Sequence, residues 1–503
     1  MKNIYCSYYT NSDSITSYMV RKLGVNEGDF VLEPSAGEGI FIDSLLEEGK
    51  NLMIDAVDMD TAAIAKLNEK YIDKNNFSIR ETDTLFDEKF DEMAEGGGYY
   101  DRVIGNPPYG AWQEYEKRDA LKDKYKGQYV KETYTLFLQR GISLLKEGGT
   151  LSFIIPDTFL YLNMHKKLRE YILRNTAISE ILIFPSKFFP GVSFGYSNLS
   201  IITLTKSNKI KSKNNCIRII KGFKKVEELP AVLENKVKKH CKVYEKRQSE
   251  ILLIPDFSFM LADDEVTEIF NKNEMTLGDV ADIVTGFYCG NNKKFIKIDD
   301  ATVKGGKGYE VIGENVIGES QSLLGISDSE RIYIPYVKSS SKTKYVRRDN
   351  NWFIDWSSET VKFYNADKKA RFQNSQYYFK TGVALPMVKS RTINATLMSN
   401  SLFDQSIVGI FPKDEKYLYY ILAFMNSDIA CELIHVINPT ANNSSNYVKK
   451  IPFIVPNEQE LLSITALVKK VILKVRDENA KETNELMDEI NDFFKKLYQK
   501  KAA

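Results

Sequence analysis

Short apolar runs alternate with amphipathic segments through the first half of the chain. The runs at 29–34, 52–60 and 99–108 have the continuous apolar character of strands that are buried on both faces of a sheet. The segments at 39–49 and 61–72 repeat apolar residues at helical spacing. Because strands joined by helices pair in parallel, this alternation predicts an α/β fold with a Rossmann-like, doubly wound and mostly parallel sheet.

The alternation continues to residue 206 and then changes character. A helix is predicted at 134–149, where two glycines are expected to end it. The lysine-rich stretch 206–250 has the composition of a connector, and its latter part is predicted to be helical. We therefore expect a first domain at 1–245 and a separate mixed α/β domain at 246–503 that ends in a charged helical tail. Further strands are predicted at 77–83, 150–156, 178–184 and 199–206.

Composition and charge are those of an ordinary globular protein. Of the 503 residues, 43% are hydrophobic and 27% are charged, and the net charge is +1. The overall charge therefore does not indicate binding to a nucleic acid or a membrane. A protein with this net charge can still bind a nucleic acid if its basic residues lie on one face. No apolar run reaches the ~18 residues of a membrane span.

The cysteines and histidines indicate the cellular compartment and whether the chain binds a metal. The five cysteines are scattered without a CxxC pair, and the sequence has no signal peptide, which predicts a reducing, cytoplasmic location. The three histidines form no cluster with the cysteines, so we predict no metal site.

A glycine-bearing turn follows the first predicted strand. In VLEPSAGEGIF, Gly37 and Gly39 separate strand from helix, and glycines there let a ligand lie against the backbone. Asp58 follows Gly39 by the roughly 20 residues at which an acid meets a ribose. The third glycine of a dinucleotide fingerprint is missing, which favours S-adenosylmethionine over NAD or FAD, with Glu33 near its cationic methionine end. A turn that binds no ligand remains the alternative.

Two further strands end in polar side chains. Asp83 closes the third strand, where a carboxylate can accept from an adenine amino group or form a turn. Asn106-Pro107-Pro108-Tyr109 follows the fourth strand. Because the carboxyl ends of parallel strands meet at one edge of a sheet, we expect these residues and the glycine turn to share a site.

The tetrapeptide suits transfer to an exocyclic amino group. The nitrogen lone pair of such a group is delocalised into the ring, and two acceptors on its N–H bonds favour a tetrahedral nitrogen. Asn106 Oδ1 and the Pro107 carbonyl are the predicted acceptors, and the prolines remove competing backbone N–H groups. Tyr109 offers a flat face for a base. The chemistry needs positioning and electrostatics rather than a strong base.

The order of these motifs resembles the γ class of amino-group DNA methyltransferases, the N6-adenine enzymes of type II restriction–modification systems. The segment 8–20 resembles their first cofactor motif, with Asn11 where the family has proline. The segment 186–194 resembles a later motif whose phenylalanine precedes a proline, although Phe189 also suits a core, and Phe188 and Phe194 compete with it. The resemblance implies a cofactor site and a catalytic site. They consist of Thr10, Glu33, Gly37, Gly39, Asp58 and Asp83, and of Asn106, Pro107, Tyr109 and Phe189.

The second half resembles the target-recognition domains of that class at 277–296, 377–412 and 420–456. Lysine and arginine contact phosphates, and asparagine and arginine reach base edges, so polar loops there are the expected DNA contacts. Ordinary surface loops are the alternative. The candidates are Lys389, Arg391, Asn442, Asn443, Asn446 and Lys449.

The resemblance implies a site-specific DNA adenine-N6 methyltransferase that flips its target adenine out of double-stranded DNA. It also implies a monomer in the cytoplasm at the nucleoid, with a cognate restriction endonuclease as a separate chain. Two alternatives stay open. One is an RNA adenine-N6 or protein-glutamine methyltransferase with the same Asn-Pro-Pro-Tyr chemistry, and the other is a DNA-binding protein with an inactive catalytic lobe.

Overall fold

The chain folds into two compact units, Met1–Leu261 and Ala262–Ala503. The division at residue 245 expected from composition falls inside the strand Lys242–Arg247, which belongs to the sheet of the first unit. The computed structural model describes residues 12–110, 115–189, 198–207, 214–327, 329–347, 351–387, 392–438, 443–477 and 480–502.

A nine-stranded sheet organises the first unit, in the order β3-β2-β1-β4-β5-β7-β6-β8-β9. β7 runs antiparallel to β5 and β6, β9 runs antiparallel to β8, and the other pairs are parallel, which confirms the predicted fold class. The strand order reverses between β1 and β4, and ligands of doubly wound sheets bind at the carboxyl ends of the strands there. The strands are β1 Phe30–Glu33, β2 Met53–Asp58, β3 Phe77–Glu81, β4 Tyr100–Gly105, β5 Leu145–Pro156, β6 Thr176–Pro185, β7 Asn198–Lys206, β8 Cys216–Lys221 and β9 Lys242–Arg247.

Helices connect the parallel strands as the sequence predicts. Asp60 caps α3, since its side chain accepts from the backbone N–H of Ala62 at 2.9 Å. The strand residues Val31, Val103 and Leu151 are fully buried. The helices are α1 Asp13–Leu23, α2 Ile40–Leu46, α3 Thr61–Lys70, α4 Glu88–Glu95, α5 Tyr115–Lys124, α6 Thr133–Leu144 and α7 Lys166–Asn175.

The helix predicted at 134–149 is shorter than predicted. α6 ends at Leu144, and β5 begins at the next residue. The pairing of β4 with β5 shifts register after Tyr100, so the two glycines lie in an irregular stretch of the strand. Gly148 has a φ of +82°, a conformation that favours glycine. The prediction was wrong because glycines serve a strand irregularity as well as a helix end.

The stretch predicted as a connector contributes two strands to the sheet. β8 pairs in parallel with β6, and β9 pairs with β8. The predicted helix in the latter part of 206–250 is wrong, apart from one turn at Gln248–Ile251, because β9 occupies that part. Tyr244 is the buried residue of β9, and charged side chains surround it, which is common at a sheet edge because lysines there discourage further pairing.

The second unit is mixed α/β and contains two four-stranded sheets, β10-β17-β14-β15 and β11-β13-β12-β16. The strands of the first sheet are all antiparallel, and in the second only β12 and β16 are parallel. The strands are β10 Ala281–Thr285, β11 Ile296–Ile298, β12 Tyr333–Val337, β13 Trp352–Asp355, β14 Gly382–Pro386, β15 Thr396–Met398, β16 Leu402–Phe403 and β17 Ile407–Pro412.

Aromatic rings form much of the core of this unit. The ring of Phe287 lies 5.5 Å from those of Tyr364 and Phe372 and 6.3 Å from that of Trp356. The charged tail is helical, as predicted, and consists of Glu458–Arg476 and Ala480–Ala502. The other helices of four residues or more are Asp264–Lys272, Leu277–Val280, Asn292–Phe295, Ser358–Ala366, Leu418–Met425, Asp428–Ile437 and Ser445–Val448.

Within the described ranges, no single helix has both the length and the apolarity to cross a membrane. The segments Glu415–Met425 and Asp428–Ile437 reach them only as a pair bent by 81°.

Candidate active site

The predicted site residues of the first unit follow neighbouring strands of the sheet. Glu33 and Asp58 end β1 and β2, Asp83 follows β3, and Asn106 follows β4. These four strands are adjacent and parallel, so the residues share the carboxyl edge of the sheet. Two side chains join the loops along this edge. Thr84 Oγ1 donates to the carbonyl of Pro34 at 2.6 Å, and Ser35 Oγ donates to the carbonyl of Asn106 at 3.4 Å.

The turn after β1 depends on its glycines. Gly37 and Gly39 have φ angles of +52° and +81°, which residues with a side chain rarely adopt. A Cβ atom at Gly39 would also lie 2.8 Å from Leu67 Cδ2 and 2.8 Å from Tyr71 Oη. Both of those side chains are buried and have little room to move. The backbone of the turn therefore packs directly against side chains of and after α3. A larger residue at Gly39 would require these side chains or the turn to move.

Asp58 holds the glycine turn. Its Oδ2 accepts from the backbone N–H of Gly37 at 2.8 Å, and its Oδ1 accepts from that of Asp60 at 2.9 Å. Burial raises the pKa of the Asp58 carboxyl, while these N–H donors act in the opposite direction. A carboxylate has about four acceptor positions, so Asp58 can accept a further hydrogen bond beside these.

Glu33 is almost completely buried, with 1% of its surface exposed. Its Oε2 has no hydrogen-bond partner among the described residues. Burial raises the pKa of the Glu33 carboxyl well above its usual range, and the carboxylates of Asp58 and Asp43 raise it further. An isolated buried carboxylate is costly unless a cation meets it. Glu33 therefore fits the cationic methionine end of S-adenosylmethionine.

Asp83 has partners on both carboxylate oxygens. Oδ1 accepts from the backbone N–H of Leu85 at 3.1 Å, and Oδ2 forms an ion pair with Lys117 Nζ at 2.7 Å. Lys117 lies in the first turns of α5, shortly after the Asn-Pro-Pro-Tyr segment. Sequence reasoning missed Lys117, because no local pattern connects a lysine to an acid 34 residues earlier.

The Asn-Pro-Pro-Tyr segment is fixed from two sides. Thr133 Oγ1, at the start of α6, donates to the carbonyl of Pro108 at 2.7 Å. The Asn106 carbonyl accepts from Ser35, which belongs to the turn after β1. Pro107 and Tyr109 are buried, and Asn106 is half-buried. The structure thus brings the segment, the glycine turn and the three acids to one edge of the sheet.

Phe189 lies farther along the same edge. It follows the short 3-10 turn Ser186–Phe188 after β6, and β5 and β7 stand between β6 and β4 in the sheet. Phe189 is 3% exposed and Tyr109 is 1% exposed, so both rings are part of the core of the first unit. Neighbouring Phe188 stacks on Phe184, with ring centroids 5.8 Å apart.

Asp157, at the end of β5, is a buried acid that sequence reasoning missed. Its Oδ2 accepts from Asn198 Nδ2 at 3.2 Å and from Tyr161 Oη at 3.3 Å. Burial raises the pKa of Asp157 to about 6, although these hydrogen bonds oppose the rise. The signal was available, since Asp157 directly follows a strand, as the predicted acids do.

One helix start connects the loops after β4 and β5. Thr133 donates to Pro108 in the first loop, and the next residue, Tyr134, has its hydroxyl 2.9 Å from Thr158 Oγ1 in the second. The side of the edge that carries the Asn-Pro-Pro-Tyr segment is therefore built jointly by β4, β5 and α6.

The predicted DNA contacts that the structure describes differ in their exposure to solvent, and four predicted site residues lie outside the described ranges. Asn443 is buried, and its backbone N–H donates to the carbonyl of Met387 at 2.6 Å. Asn446 and Lys449, in and after the helix Ser445–Val448, are exposed. The predicted residues outside the described ranges are Thr10, Lys389, Arg391 and Asn442.

Among the described residues, one group has the composition of a metal site. The ligand atoms of Glu228, His240 and Cys241 lie within 4.8 Å of one another, on the connection between β8 and β9. Glu228 Oε2 already accepts from the Lys224 N–H at 3.0 Å and lies 3.1 Å from His240 Nε2. Slight burial raises the pKa of Glu228, but these contacts outweigh it and lower the pKa. Glu228 and His240 therefore form a hydrogen-bonded pair within this group.

Part of the chain is similar to known methyltransferases. Residues 42–189 match the Eco57I restriction-modification methylase family. The type II methyltransferase M.HincII of Haemophilus influenzae is 29% identical over 232 residues, which is 42% of this chain and 42% of that protein. The adenine-specific methyltransferase BrxX of Escherichia coli is 22% identical over 402 residues, which is 73% of this chain and 29% of that protein. The matches span less than half the length of these relatives, and they confirm the predicted resemblance to restriction–modification methyltransferases.

A solved structure extends the likeness in fold. A nuclease-deletion mutant of the Type ISP restriction-modification enzyme LlaGI, in complex with a DNA substrate mimic, aligns with a TM-score of 0.58. The alignment covers 92% of this chain and 54% of that chain at 11% identity. At this identity the likeness concerns the fold alone.

Proposed function

We propose that this chain, whose residues 42–189 carry an Eco57I-type restriction-modification methylase domain, is a site-specific DNA adenine-N6 methyltransferase that uses S-adenosyl-L-methionine. The observation that carries the proposal is the shared edge of the sheet. Asn106-Pro107-Pro108-Tyr109 directly follows β4. The glycine turn follows β1 and Asp58 ends β2, and these are the next two strands of the sheet. Transfer requires a donor site and an acceptor site held side by side, and the position of both candidate sets at this edge supports the proposal.

The cofactor half of the site consists of the three acids and the glycine turn. S-Adenosylmethionine, when bound, supplies an electrophilic methyl group. Asp58 would accept from the ribose hydroxyls, Asp83 from the adenine amino group, and Glu33 would face the cationic methionine end. The orphaned, buried oxygen of Glu33 supports this assignment. The remaining proposed contacts are Thr10, Gly37 and Gly39.

The acceptor half of the site activates an amino group. Asn106 Oδ1 and the Pro107 carbonyl would accept from its two N–H bonds, which favours a tetrahedral nitrogen with an exposed lone pair. The hydrogen bonds from Ser35 and Thr133 use the carbonyls of Asn106 and Pro108, so they fix the turn without using the Pro107 carbonyl. The nitrogen is cationic and acidic once methylated, so its proton leaves without a strong base.

Tyr109 and Phe189 would hold the base. Extrusion of an adenine from a duplex costs a few kcal/mol, and each stacking contact with an aromatic ring returns about 1–3 kcal/mol. Both rings are buried in this structure. Stacking on a base therefore requires each ring to exchange protein contacts for base contacts.

Recognition of double-stranded DNA is proposed for the second half of the chain, residues 246–503. The exposed residues Asn446 and Lys449 offer an amide and a cation of the kinds that contact bases and phosphates. The other proposed DNA contacts are Lys389, Arg391 and Asn442, whereas Asn443 is buried and would have to become exposed to reach DNA. We propose that the chain acts as a monomer in the cytoplasm, on chromosomal DNA, and that it protects sites from a separate cognate endonuclease.

The acceptor assignment can be tested directly. The purified chain is incubated with methyl-labelled S-adenosylmethionine and, in parallel, with duplex DNA, RNA and protein. Label should enter duplex DNA and be recovered as N6-methyladenine after digestion to nucleosides, at one sequence context found by sequencing. Label in RNA or in protein glutamine instead would replace this proposal with the alternative chemistry. Binding of DNA without any transfer would indicate an inactive catalytic lobe.

A further inference from the structure

We propose that His165 is a positioning residue for methyl transfer, which holds the start of α6 and through it the Asn-Pro-Pro-Tyr segment. The inference rests on the proposed function, because it takes that segment as the acceptor half of the site. His165 ends the short 3-10 turn Asn163–His165 between β5 and α7, and only 1% of its surface is exposed. Because buried polar groups are normally hydrogen-bonded, the contacts of this ring show what it holds.

The ring of His165 contacts the residue immediately before α6. Its Nε2 lies 2.8 Å from Glu132 Oε2 and 3.3 Å from the hydroxyl of Tyr134. Its Nδ1 has no hydrogen-bond partner among the described residues. A buried ring nitrogen without a proton is less costly than a buried N–H without an acceptor. We therefore place the proton on Nε2, where the carboxylate accepts it.

Glu132 occupies the N-cap position of α6, but its side chain does not cap the helix. An acid at a helix start is normally attracted to the N–H groups of the first turn. Here the carboxylate is turned to His165 instead. The ring of Tyr129 lies 5.6 Å from that of His165 and packs against the same contact. The histidine therefore restrains the chain at the point where it enters α6.

The first two residues of α6 transmit this restraint to the site. Thr133 Oγ1 donates to the carbonyl of Pro108 at 2.7 Å, and the Tyr134 hydroxyl lies 2.9 Å from Thr158 Oγ1. Pro108 directly follows the residue whose carbonyl is the proposed acceptor of the target amino group. A misplacement of about 1 Å at a reacting centre can lower a rate by about 10²-fold. The buried ring thus controls the rate of transfer from behind the acceptor loop.

The test compares three replacements of His165 in single-turnover transfer to a DNA duplex that the wild-type chain methylates. His165→Gln keeps an N–H donor at the position of Nε2, His165→Asn moves the donor to the position of Nδ1, and His165→Leu has no donor. We expect His165→Leu and His165→Asn to lower the rate by about 10–100-fold and His165→Gln to stay within about threefold of the wild type. Calorimetry should give the wild-type affinity for S-adenosylhomocysteine in all three variants.

Hydrogen exchange gives a readout that does not depend on transfer. Peptides from the loops after β4 and β5 should exchange faster in His165→Leu and His165→Asn, and at the wild-type rate in His165→Gln. The matched control is His240→Leu. His240 is exposed and contacts Glu228 on the connection between β8 and β9, so its loss should change neither the transfer rate nor the exchange of these loops.

A double variant tests the route through α6. Thr133→Val removes the hydroxyl that donates to Pro108 and keeps the shape of the side chain. Because residues that act through one contact are not additive, the combination of His165→Leu and Thr133→Val should lose much less than the product of the two single losses. Losses that multiply would overturn the inference.

The pattern among the three variants decides between positioning and packing. Wild-type rates in His165→Leu and His165→Asn would overturn the inference, and so would equal losses in His165→Gln and His165→Asn. That second comparison involves two polar side chains and stands even if His165→Leu does not fold. These outcomes overturn the inference alone. Failure of the wild-type chain to methylate duplex DNA would overturn the proposed function, and the inference with it.

Discussion

Asp58 Oδ2 accepts a hydrogen bond from the backbone N–H of Gly37 at 2.8 Å, so the acid at the end of β2 holds the turn at the end of β1. The same carboxylate accepts from the N–H of Asp60 at the start of α3. The acid that is proposed to meet the ribose thus also shapes the backbone against which the cofactor lies. A site whose supporting contacts exist before the ligand arrives is preorganised for binding.

Replacement of Asp58 by alanine should therefore weaken the cofactor site in two ways, by loss of an acceptor and by release of Gly37. We expect the affinity for S-adenosylhomocysteine, measured by calorimetry, to fall by about tenfold or more. Glu69→Ala on the exposed side of α3 is the control and should bind normally. Because burial raises the pKa of Asp58, wild-type binding should also decline on acidification at a higher pH than for an ordinary aspartate. Unchanged affinity of Asp58→Ala would remove the residue from the cofactor site.

Gly39→Ala should be more damaging than an alanine at another glycine of similar conformation. Gly28 has a φ of +79° and no atom within 4 Å of a Cβ position, so Gly28→Ala isolates the backbone effect, about 1–2 kcal/mol of unfolding free energy. At Gly39 the φ of +81° is combined with contacts of 2.8 Å to Leu67 and Tyr71. Urea unfolding should show a larger loss for Gly39→Ala, together with weaker cofactor binding. Equal losses would mean that the neighbouring side chains move away freely.

Asn106→Ala should strongly reduce methyl transfer and leave cofactor binding intact, since only one acceptor of the target amino group is removed. Loss of transition-state interactions of this kind lowers the rate by about 10²–10³-fold. Single-turnover transfer to duplex DNA measures the rate, and calorimetry with S-adenosylhomocysteine checks the cofactor half of the site. Ser35→Ala removes only the donor to the Asn106 backbone carbonyl and should have a smaller effect. Turnover of Asn106→Ala near the wild-type rate would exclude the proposed role.

Asp157→Asn should change how stability depends on pH. Burial raises the pKa of Asp157 to about 6, so its contribution to stability is full at low pH and is lost as the pH rises through that value. Against an ordinary aspartate near ~3.9, the loss is roughly 3 kcal/mol. Asn198 and Tyr161 both donate to Oδ2, and the amide oxygen of asparagine can accept these two hydrogen bonds without a charge.

The variant should therefore gain roughly 3 kcal/mol on the wild type between about pH 4 and about pH 7. Urea unfolding at each pH, monitored by hydrogen exchange in peptides from β5 and β7, measures this difference in the free energy of unfolding. Asp119→Asn, at an exposed position of α5, is the control and should follow the wild type. A parallel pH dependence of Asp157→Asn and the wild type would show that ionisation of Asp157 does not oppose folding.

The fold of the first unit was predictable wherever burial left a pattern in the sequence. Continuous apolar runs such as that of β1 predict strands that are covered on both faces. Capping residues such as Asp60 predict the start of a helix. β9 escaped prediction because an edge strand carries charges that resemble those of a linker, and Tyr244 alone marked its buried face. Local composition cannot distinguish a strand edge from a loop when only one side is packed.

The site was predictable to the extent that its residues end strands. Glu33, Asp58 and Asn106 follow from the rule that parallel strands bring their carboxyl ends to one edge. Lys117 did not follow, because its pairing with Asp83 depends on how α5 packs, and packing over such a separation leaves no trace in local spacing. Asp157 obeys the strand-end rule and was missed only because its chemistry has no familiar motif.

Thr133 and Tyr134 are consecutive residues, and their side chains contact the loops after β4 and β5 respectively. The two loops are thus tethered to points a single peptide unit apart. The arrangement of both loops therefore depends on how the first turn of α6 packs. A substitution that disturbs this turn would alter the two loops together, without any change in the residues of the loops themselves.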